Sequence, residues 1–234
     1  MTSWAFLVLE EHPYGREMLQ ALLSGGFVPS LVIQERSAVS EVEREKFLVR
    51  LAGYPIAPTI AEQLEGLETR RAVVDNHNSP ECVALIEAEA PDLLVLGGTR
   101  ILKPPVFASV PRGALNAHPG LLPEVRGSAS VAWAIHLDLP VGCTCHFIEK
   151  GIDTGPIVGR REIAVHRGDT YEHLCHATVA LSAVLMREAL EGMRDGTLAP
   201  VPQPPGGEAH RNMPDEMVEA VKRKLADGTY RHLR

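Results

Sequence analysis

Two short runs of apolar residues constrain the fold of this chain more than any other feature of its sequence. They are WAFLVL at Trp4–Leu9 and DLLVL at Asp92–Leu96. An uninterrupted apolar run of this length is typical of a parallel strand that is covered by helices on both faces. Helical patterns alternate with such runs through the first half of the chain. Because a strand, a helix and a parallel strand connect by a right-handed crossover, the alternation predicts an open α/β sheet.

Local signals mark where several of these elements begin and end. Thr59 with Glu62 forms a capping-box pattern, and Ser79 followed by Pro80 is typical of a helix start. The periodicity predicts helices over Tyr14–Ser24, Ala38–Val49, Thr59–Leu67, 79–90, Ser128–Leu137, Thr170–Met193 and Met217–Leu225. It predicts strands over Trp4–Leu9, Val28–Gln34, Ala72–Asp75, Asp92–Leu96, Ala114–Ala117, Cys143–Ile148 and Pro156–Val165. The expected fold is a Rossmann-like open, mostly parallel twisted sheet with helices on both faces.

The proline- and glycine-rich stretch PVPQPPGG, at 200–207, interrupts this pattern. We expect a main domain over residues 1–198 and a short extension over residues 199–234, consisting of an extended arm and a last helix. The residues after Gly207 are too few to build a core of their own.

Composition excludes several classes of protein. The chain has 23 basic and 30 acidic residues and a formal net charge of −7, which argues against a nucleic-acid partner. It has no apolar run of transmembrane length and no secretory signal pattern at its start, so we expect a cytoplasmic protein with no membrane contact. Its four cysteines stand at no zinc-ligand spacing, so we expect no metal.

The pair Asn116 and His118 is the first candidate for chemistry. One residue separates them at the end of an expected strand, so both side chains point to the same side. In an open α/β sheet, ligands bind at the carboxyl ends of the strands. An amide and an imidazole at this position can hydrogen-bond one developing oxyanion, although the same pair also serves as ordinary loop hydrogen-bonding residues.

Two further segments are candidates for the same site. Asp153 lies in the turn GIDTGP, where neighbouring glycines allow a carboxylate to bend into a site, although the turn also fits a plain connection between strands. The segment Gly97–Leu102 follows the second apolar run. Its backbone is placed to bond a flat heterocycle, with Ile101 and Leu102 as apolar walls, although it also fits a simple connection.

The order of these segments is more specific than any one of them. Arg-Ile-Leu at 100–102 is followed by Asn-x-His at 116–118, by Leu-Leu-Pro-x-x-Arg-Gly at 121–127 and by Asp-x-Gly at 153–155. From about Pro91 to Arg194 this arrangement resembles the formyltransferase family that uses 10-formyltetrahydrofolate. That family includes phosphoribosylglycinamide formyltransferase, the catalytic domain of methionyl-tRNA formyltransferase and the amino-sugar N-formyltransferases.

The resemblance implies a role for each matching position. It implies catalysis by Asn116, His118 and Asp153, and direct attack of an amine on the formyl carbon through a tetrahedral intermediate, without a metal. Asp153 would raise the pKa of His118, favour its protonated form and relay a proton through water. The implied folate pocket consists of Arg100, Ile101, Leu102, Phe147, Ile148, Glu149, Gly151 and Ile152. The expected acceptor contacts are Tyr14, Arg16, Thr99 and Pro119.

Departures from the relatives bear on the acceptor. The stretch EEHPYGR at 10–16 replaces the Gly-Ser-rich phosphate loop of the glycinamide enzymes, and the long helix lacks their ribose-binding glutamate. The tRNA enzymes carry a second domain after a linker, and this chain is short and acidic. We therefore expect a small-molecule amine as acceptor, such as an amino-sugar nucleotide or an amino acid derivative.

Several alternatives remain open. They are a phosphoribosylglycinamide formyltransferase, a formyltetrahydrofolate hydrolase and a catalytically silent folate-binding module. A homodimer formed through the C-terminal arm is a further expectation. Among the remaining histidines, His146 precedes the aspartate turn and is a candidate for a supporting contact, whereas His166, His173 and His176 fit a solvated or packed helix face.

Overall fold

The computed structural model describes residues 3–234. The strands are β1 (Trp4–Leu9), β2 (Leu31–Glu35), β3 (Arg70–Val74), β4 (Leu93–Leu96), β5 (Ala114–His118), β6 (Val125–Gly127), β7 (Gly142–Phe147), β8 (Ile157–Glu162) and β9 (Glu208–His210). The helices are α1 (Pro13–Ser24), α2 (Ala38–Arg50), α3 (Ile60–Gln63), α4 (Pro80–Glu89), α5 (Pro104–Phe107), α6 (Ser130–His136), α7 (Tyr171–Arg194) and α8 (Asp215–Ala226).

The main sheet has seven strands in the order β3-β2-β1-β4-β5-β7-β8. The first five of these are parallel, and the hairpin of β7 and β8 adds to the edge of β5 with β7 antiparallel to it. The Rossmann-like, mostly parallel sheet expected from the alternating pattern is therefore confirmed.

The apolar run of β1 serves both faces of this sheet. Trp4, Phe6 and Val8 pack in one core cluster with α1 and α7, whereas Ala5 and Leu7 pack in a second cluster with α4 and α5. Because side chains alternate along a strand, a strand between two helical layers must be apolar at every position. This arrangement explains why the run contains no polar residue.

The helix-start signals also fold as expected. The Thr59 hydroxyl accepts from the Glu62 backbone and the Glu62 side chain caps Thr59 in return, while Ser79 accepts from the Cys82 N–H group. Several strand boundaries were wrong: β3 begins at Arg70 rather than Ala72, and β8 ends at Glu162 rather than Val165. β2 begins at Leu31 rather than Val28, because Val28 is 45% exposed and Pro29 has no N–H group to pair with a neighbour.

Residues 199–234 pack against the rest of the chain. β9 pairs in parallel with β6, and neither of these two short strands is predicted by the sequence pattern. α8 packs on α6 and α7, and Val221 and Leu225 enter the larger core cluster. The arm and the last helix thus continue the main core.

Within residues 3–234, none of the helices combines the length and the apolar character needed to cross a bilayer. Within the same residues, no three or more His, Cys, Asp or Glu side chains are grouped so as to hold a metal ion.

Candidate active site

Asn116 and His118 lie on the last three residues of β5. The strand alternation points both side chains to the same side of the sheet, with Asn116 half-buried and His118 4% exposed. β5 forms hydrogen bonds with β4 on one side and β7 on the other, so both residues stand on a rigid central strand.

The Asp153 turn connects β7 to β8 and brings the carboxylate to this pair. Asp153 Oδ2 lies 3.5 Å from His118 Nδ1 and accepts a hydrogen bond of 2.8 Å from the Gly127 N–H group. Asp153 has a left-handed backbone conformation with φ of 51°. The three residues that the sequence analysis singled out for catalysis are therefore brought together.

His146 is the fourth member of this cluster. It lies opposite Asn116 in the antiparallel pairing of β5 and β7. Its Nε2 is 3.3 Å from Asn116 Nδ2 and 3.5 Å from Asp153 Oδ1, and its Nδ1 is 2.8 Å from the Phe147 carbonyl oxygen. From the sequence, His146 is a candidate only for a supporting contact, because the register between β5 and β7 is not visible there.

The protonation of His118 differs from expectation. Burial lowers the pKa of His118 below its usual value and outweighs the Asp153 carboxylate, which raises it. Asp153 raises the pKa of His118 as expected, but the protonated form expected from it is not favoured, because the ring is almost fully buried and its charged form loses its hydration. The imidazole is neutral at pH 7.

The hydrogen bonds of His118 fix where its proton lies. Its Nε2 is 2.9 Å from the Val125 carbonyl oxygen, which can only accept, so Nε2 carries the proton. The lone pair of the neutral ring is therefore on Nδ1, which faces Asp153. Burial raises the pKa of Asp153, but the hydrogen bond from the Gly127 N–H group is among the contacts that outweigh it and hold the pKa of Asp153 well below its usual range. The site at pH 7 thus holds a carboxylate beside a proton-accepting nitrogen.

The segment Gly97–Leu102 follows β4, and its side chains differ in exposure and in the groups that they contact. The Arg100 side chain forms an ion pair with the fully buried Glu35 of β2, including a hydrogen bond of 2.7 Å from Nε to Oε2. Ile101 is 73% exposed, Leu102 is buried in the second core cluster, and Thr99 is half-buried. Arg100 can therefore offer a ligand its backbone, whereas its guanidinium is occupied by Glu35.

The segment after His146 supplies the other expected pocket residues. Phe147 and Ile148 are half-buried, and Glu149, Gly151 and Ile152 are exposed. Ile148 packs against the core cluster that contains Leu102. The two loops thus share a core cluster beneath them and each presents an exposed isoleucine, Ile101 and Ile152, to solvent. This arrangement fits an apolar ring system held between backbone groups.

Two of the residues expected to contact the acceptor, Tyr14 and Arg16, form hydrogen bonds with other protein groups. Tyr14 is buried, and its hydroxyl donates to the Ala117 carbonyl. The Arg16 guanidinium donates to the Ala57 and Pro58 carbonyls. The polar groups of both side chains therefore already form hydrogen bonds within the protein. Pro119 is half-buried and directly follows His118.

The sequence of this chain is similar to a known protein family and to individual curated proteins. The sequence profile of the family described as Formyl transferase matches residues 28–190. Methionyl-tRNA formyltransferase of Acetivibrio thermocellus is 34% identical over 145 residues, which are 61% of this chain and 47% of that protein. The chain spans about half the length of the curated relatives it matches.

Solved structures share the fold. Glycinamide ribonucleotide transformylase 1 of Symbiobacterium toebii superposes with a TM-score of 0.64 at 23% identity, covering 83% of this chain and 89% of that one. The formyltransferase PseJ of Anoxybacillus kamchatkensis was solved in complex with UDP-4,6-dideoxy-4-formamido-L-AltNAc and tetrahydrofolate; its TM-score is 0.57 at 21% identity, covering 98% of this chain and 95% of that one. Since the family profile matches more than half of the residues, the chain belongs to the formyl transferase family.

Proposed function

We propose that this protein is an N-formyltransferase that moves a formyl group from 10-formyltetrahydrofolate to the primary amine of a small molecule. The observation that carries the proposal is the contact of His118 and Asp153 at 3.5 Å, with Asn116 on the same strand as His118. Attack of an amine on a formyl carbon needs a donor for the oxygen and an acceptor for the departing proton. These residues supply both.

Each side chain of the cluster has a distinct task in this proposal. One N–H of the Asn116 amide faces His146, and the other is available to donate to the oxygen on which negative charge develops. Neutral His118 accepts at Nδ1 the proton that the attacking amine loses. Asp153, held as a carboxylate, then stabilises the imidazolium across the same 3.5 Å contact. When the bond between the formyl carbon and the folate nitrogen breaks, the same proton would return to that nitrogen, so that tetrahydrofolate leaves and the ring is neutral again.

The loops 97–102 and 147–152 are the proposed folate pocket. Exposed Ile101 and Ile152 offer apolar surface to a pteridine ring. The ion pair with Glu35 uses only the side chain of Arg100, so the backbone groups of Arg100 can bond a ligand. The complex of PseJ with tetrahydrofolate supports a folate in a protein of this fold. When bound, this cosubstrate supplies the formyl group.

The acceptor is the finer part of the proposal. The net charge of −7 favours a small amine over tRNA as the acceptor. PseJ was solved in complex with a formamido sugar nucleotide, which is a small molecule of this kind. Methionyl-tRNA is the second candidate, because methionyl-tRNA formyltransferases are among the curated relatives at 34% identity.

Product analysis with a panel of acceptors tests these assignments. The protein is incubated with 10-formyltetrahydrofolate and, in separate arms, a nucleotide-linked amino sugar, an amino acid amine, glycinamide ribonucleotide, methionyl-tRNA or no acceptor. Release of tetrahydrofolate and the mass of the amine are measured. Formylation of a small amine by the wild type, lost in Asn116→Ala and retained in the exposed Asn212→Ala, is the expected result.

The remaining incubations give the outcomes that would contradict the proposed function. Formate release without an acceptor would identify a hydrolase, and product with methionyl-tRNA alone would identify the second candidate. Tight binding of tetrahydrofolate without turnover in any arm would identify a folate-binding module.

A further inference from the structure

The extended segment between α7 and β9, called the arm, contacts the Asp153 turn directly. Gln203 of this arm donates from Nε2 to two backbone carbonyls of the turn, to Asp153 at 2.9 Å and to Gly155 at 2.7 Å. Its Oε1 accepts from Arg126 at 3.1 Å. The half-buried Gln203 amide therefore uses both its donor and its acceptor groups on the residues that surround Asp153.

Neighbouring contacts hold the arm itself in place. Val201 and Ile157 exchange two backbone hydrogen bonds of 2.8 Å, which tie the arm to the start of β8. On the other side of Gln203, β9 pairs with β6, the strand whose Gly127 N–H group binds the Asp153 carboxylate. The arm thus contacts both segments that determine where this carboxylate lies.

Tertiary contacts hold the Asp153 turn in place. Most residues with a Cβ avoid a left-handed backbone, and aspartate is one of the few that adopt it as a single residue when its surroundings stabilise it. Asp153 has φ of 51°, and its carboxylate is 3.5 Å from both His118 and His146. A small rotation of this backbone would move the carboxylate away from one or both rings. The two hydrogen bonds of Gln203 act on the carbonyls that such a rotation would displace.

We propose that Gln203 is a positioning residue that holds the Asp153 turn in its active conformation, so that the arm after α7 completes the site. This inference rests on the proposed function for its effect on catalysis. It concerns a segment outside residues 28–190, which the family profile matches.

The substitution Gln203→Glu tests the inference with a nearly isosteric side chain. It keeps the acceptor for Arg126 but replaces both donated hydrogen bonds with a carboxylate oxygen against two carbonyl oxygens. We expect kcat to fall about 10–100-fold, with the KM for 10-formyltetrahydrofolate within threefold of the wild type. The matched control is Glu208→Gln on the exposed surface of β9, and the double variant restores the net charge.

A second readout does not depend on turnover. The imidazole NMR resonances of His118, next to Asp153, should shift in Gln203→Glu and in Gln203→Ala, and remain unchanged in Glu208→Gln. Shifted His118 resonances in a protein that formylates no acceptor would sustain the positioning role while overturning the proposed function. Wild-type kcat together with wild-type His118 resonances in both Gln203 variants would overturn the positioning role. If Gln203→Glu does not fold, Gln203→Ala alone decides between these results.

Discussion

At the scale of the residue, the proton positions at His118 determine what the site can do. The Val125 carbonyl fixes the proton on Nε2, and burial keeps the ring neutral. A neutral ring with its lone pair beside a carboxylate is suited to receive a proton, whereas a protonated ring would have donated one to the oxyanion. Asn116 remains as the side chain placed to donate.

The first prediction concerns removal of this ring. His118→Ala should lower kcat by about 10²–10³-fold while leaving the affinity for tetrahydrofolate nearly unchanged, since the proposed pocket lies on other loops. Steady-state kinetics and calorimetric titration with tetrahydrofolate measure the two effects. An equal loss of turnover and affinity would falsify the assigned role.

The second prediction concerns pH. The pKa of His118 is lowered from 6.5, so the neutral ring is the major form above that pH. Turnover should therefore stay level as the pH falls through neutrality to 6.5, and it should decrease only at lower pH, where the ring becomes protonated. The profile is measured at a fixed concentration of unprotonated acceptor amine. A rate that increases on acidification would instead indicate that the protonated ring is the active form.

At the scale of the element, an ion pair joins β2 to the loop after β4. Glu35 is fully buried at the end of β2, where it accepts from Arg100, from the His77 N–H group at 2.8 Å and from the Ser37 hydroxyl at 2.7 Å. Burial raises the pKa of Glu35, but these donors outweigh it and the pKa is lowered overall. The pair thus holds the loop 97–102 against the sheet.

The third prediction follows from this pair. Arg100→Ala leaves the Glu35 carboxylate buried without its cation, which should lower the free energy of unfolding by about 2–3 kcal/mol, a value reduced from that of a fully buried pair because water reaches Arg100. The freed loop should also weaken tetrahydrofolate binding. Denaturant unfolding and ligand titration measure both effects, with the exposed Arg112→Ala as control. Recovery of stability in Glu35→Gln/Arg100→Ala is expected, and its absence would contradict the assigned pairing.

The fourth prediction compares two glycines with similar positive φ angles. Gly127 and Gly168 have φ of 86° and 93°, but a Cβ on Gly127 would lie 2.1 Å from the His210 carbonyl oxygen, whereas one on Gly168 would meet no heavy atom within 4 Å. Gly168→Ala should lower stability by about 1–2 kcal/mol and leave turnover unchanged. Gly127→Ala should lower stability further and reduce kcat, because it separates β6 from β9 and displaces the donor to Asp153. Equal effects of both substitutions on stability and turnover would rule out a role for this pairing.

At the scale of the whole molecule, the C-terminal segment belongs to the main core. Met213, Val221, Leu225 and Tyr230 are each less than 10% exposed and join the larger core cluster. We propose that residues 199–234 are an extension of the domain on which residues 1–198 depend. Burying one large apolar side chain contributes about 1.5–3 kcal/mol.

The fifth prediction concerns this dependence. A chain of residues 1–198 loses these four buried side chains, a change of about 6 kcal/mol or more against a typical domain stability of about 5–15 kcal/mol. It should lack a cooperative thermal transition at the temperature of the full-length protein, as measured by circular dichroism. Unfolding of the shortened chain at the same temperature as the full-length chain would refute the dependence.

The sequence alone indicated the type of fold and three of the four clustered residues. The apolar runs Trp4–Leu9 and Asp92–Leu96 predicted buried parallel strands because the constraint on a strand between two helical layers acts on every one of its residues. Asn116, His118 and Asp153 were selected because they match, in order and spacing, the motifs of the formyltransferase family that the chain resembles, whereas local strand and turn geometry alone left each of them open to a structural interpretation. Such features depend on neighbours in sequence and can be read without coordinates.

Only the tertiary structure decided the register, the charge states and the contribution of the arm. His146 enters the cluster through the pairing of β5 with β7, and Gln203 reaches the turn from 50 residues farther along the chain. The neutral state of His118 results from the surrounding atoms that exclude water. Register, burial and desolvation are sums over groups that are distant in sequence, so no local pattern contains them.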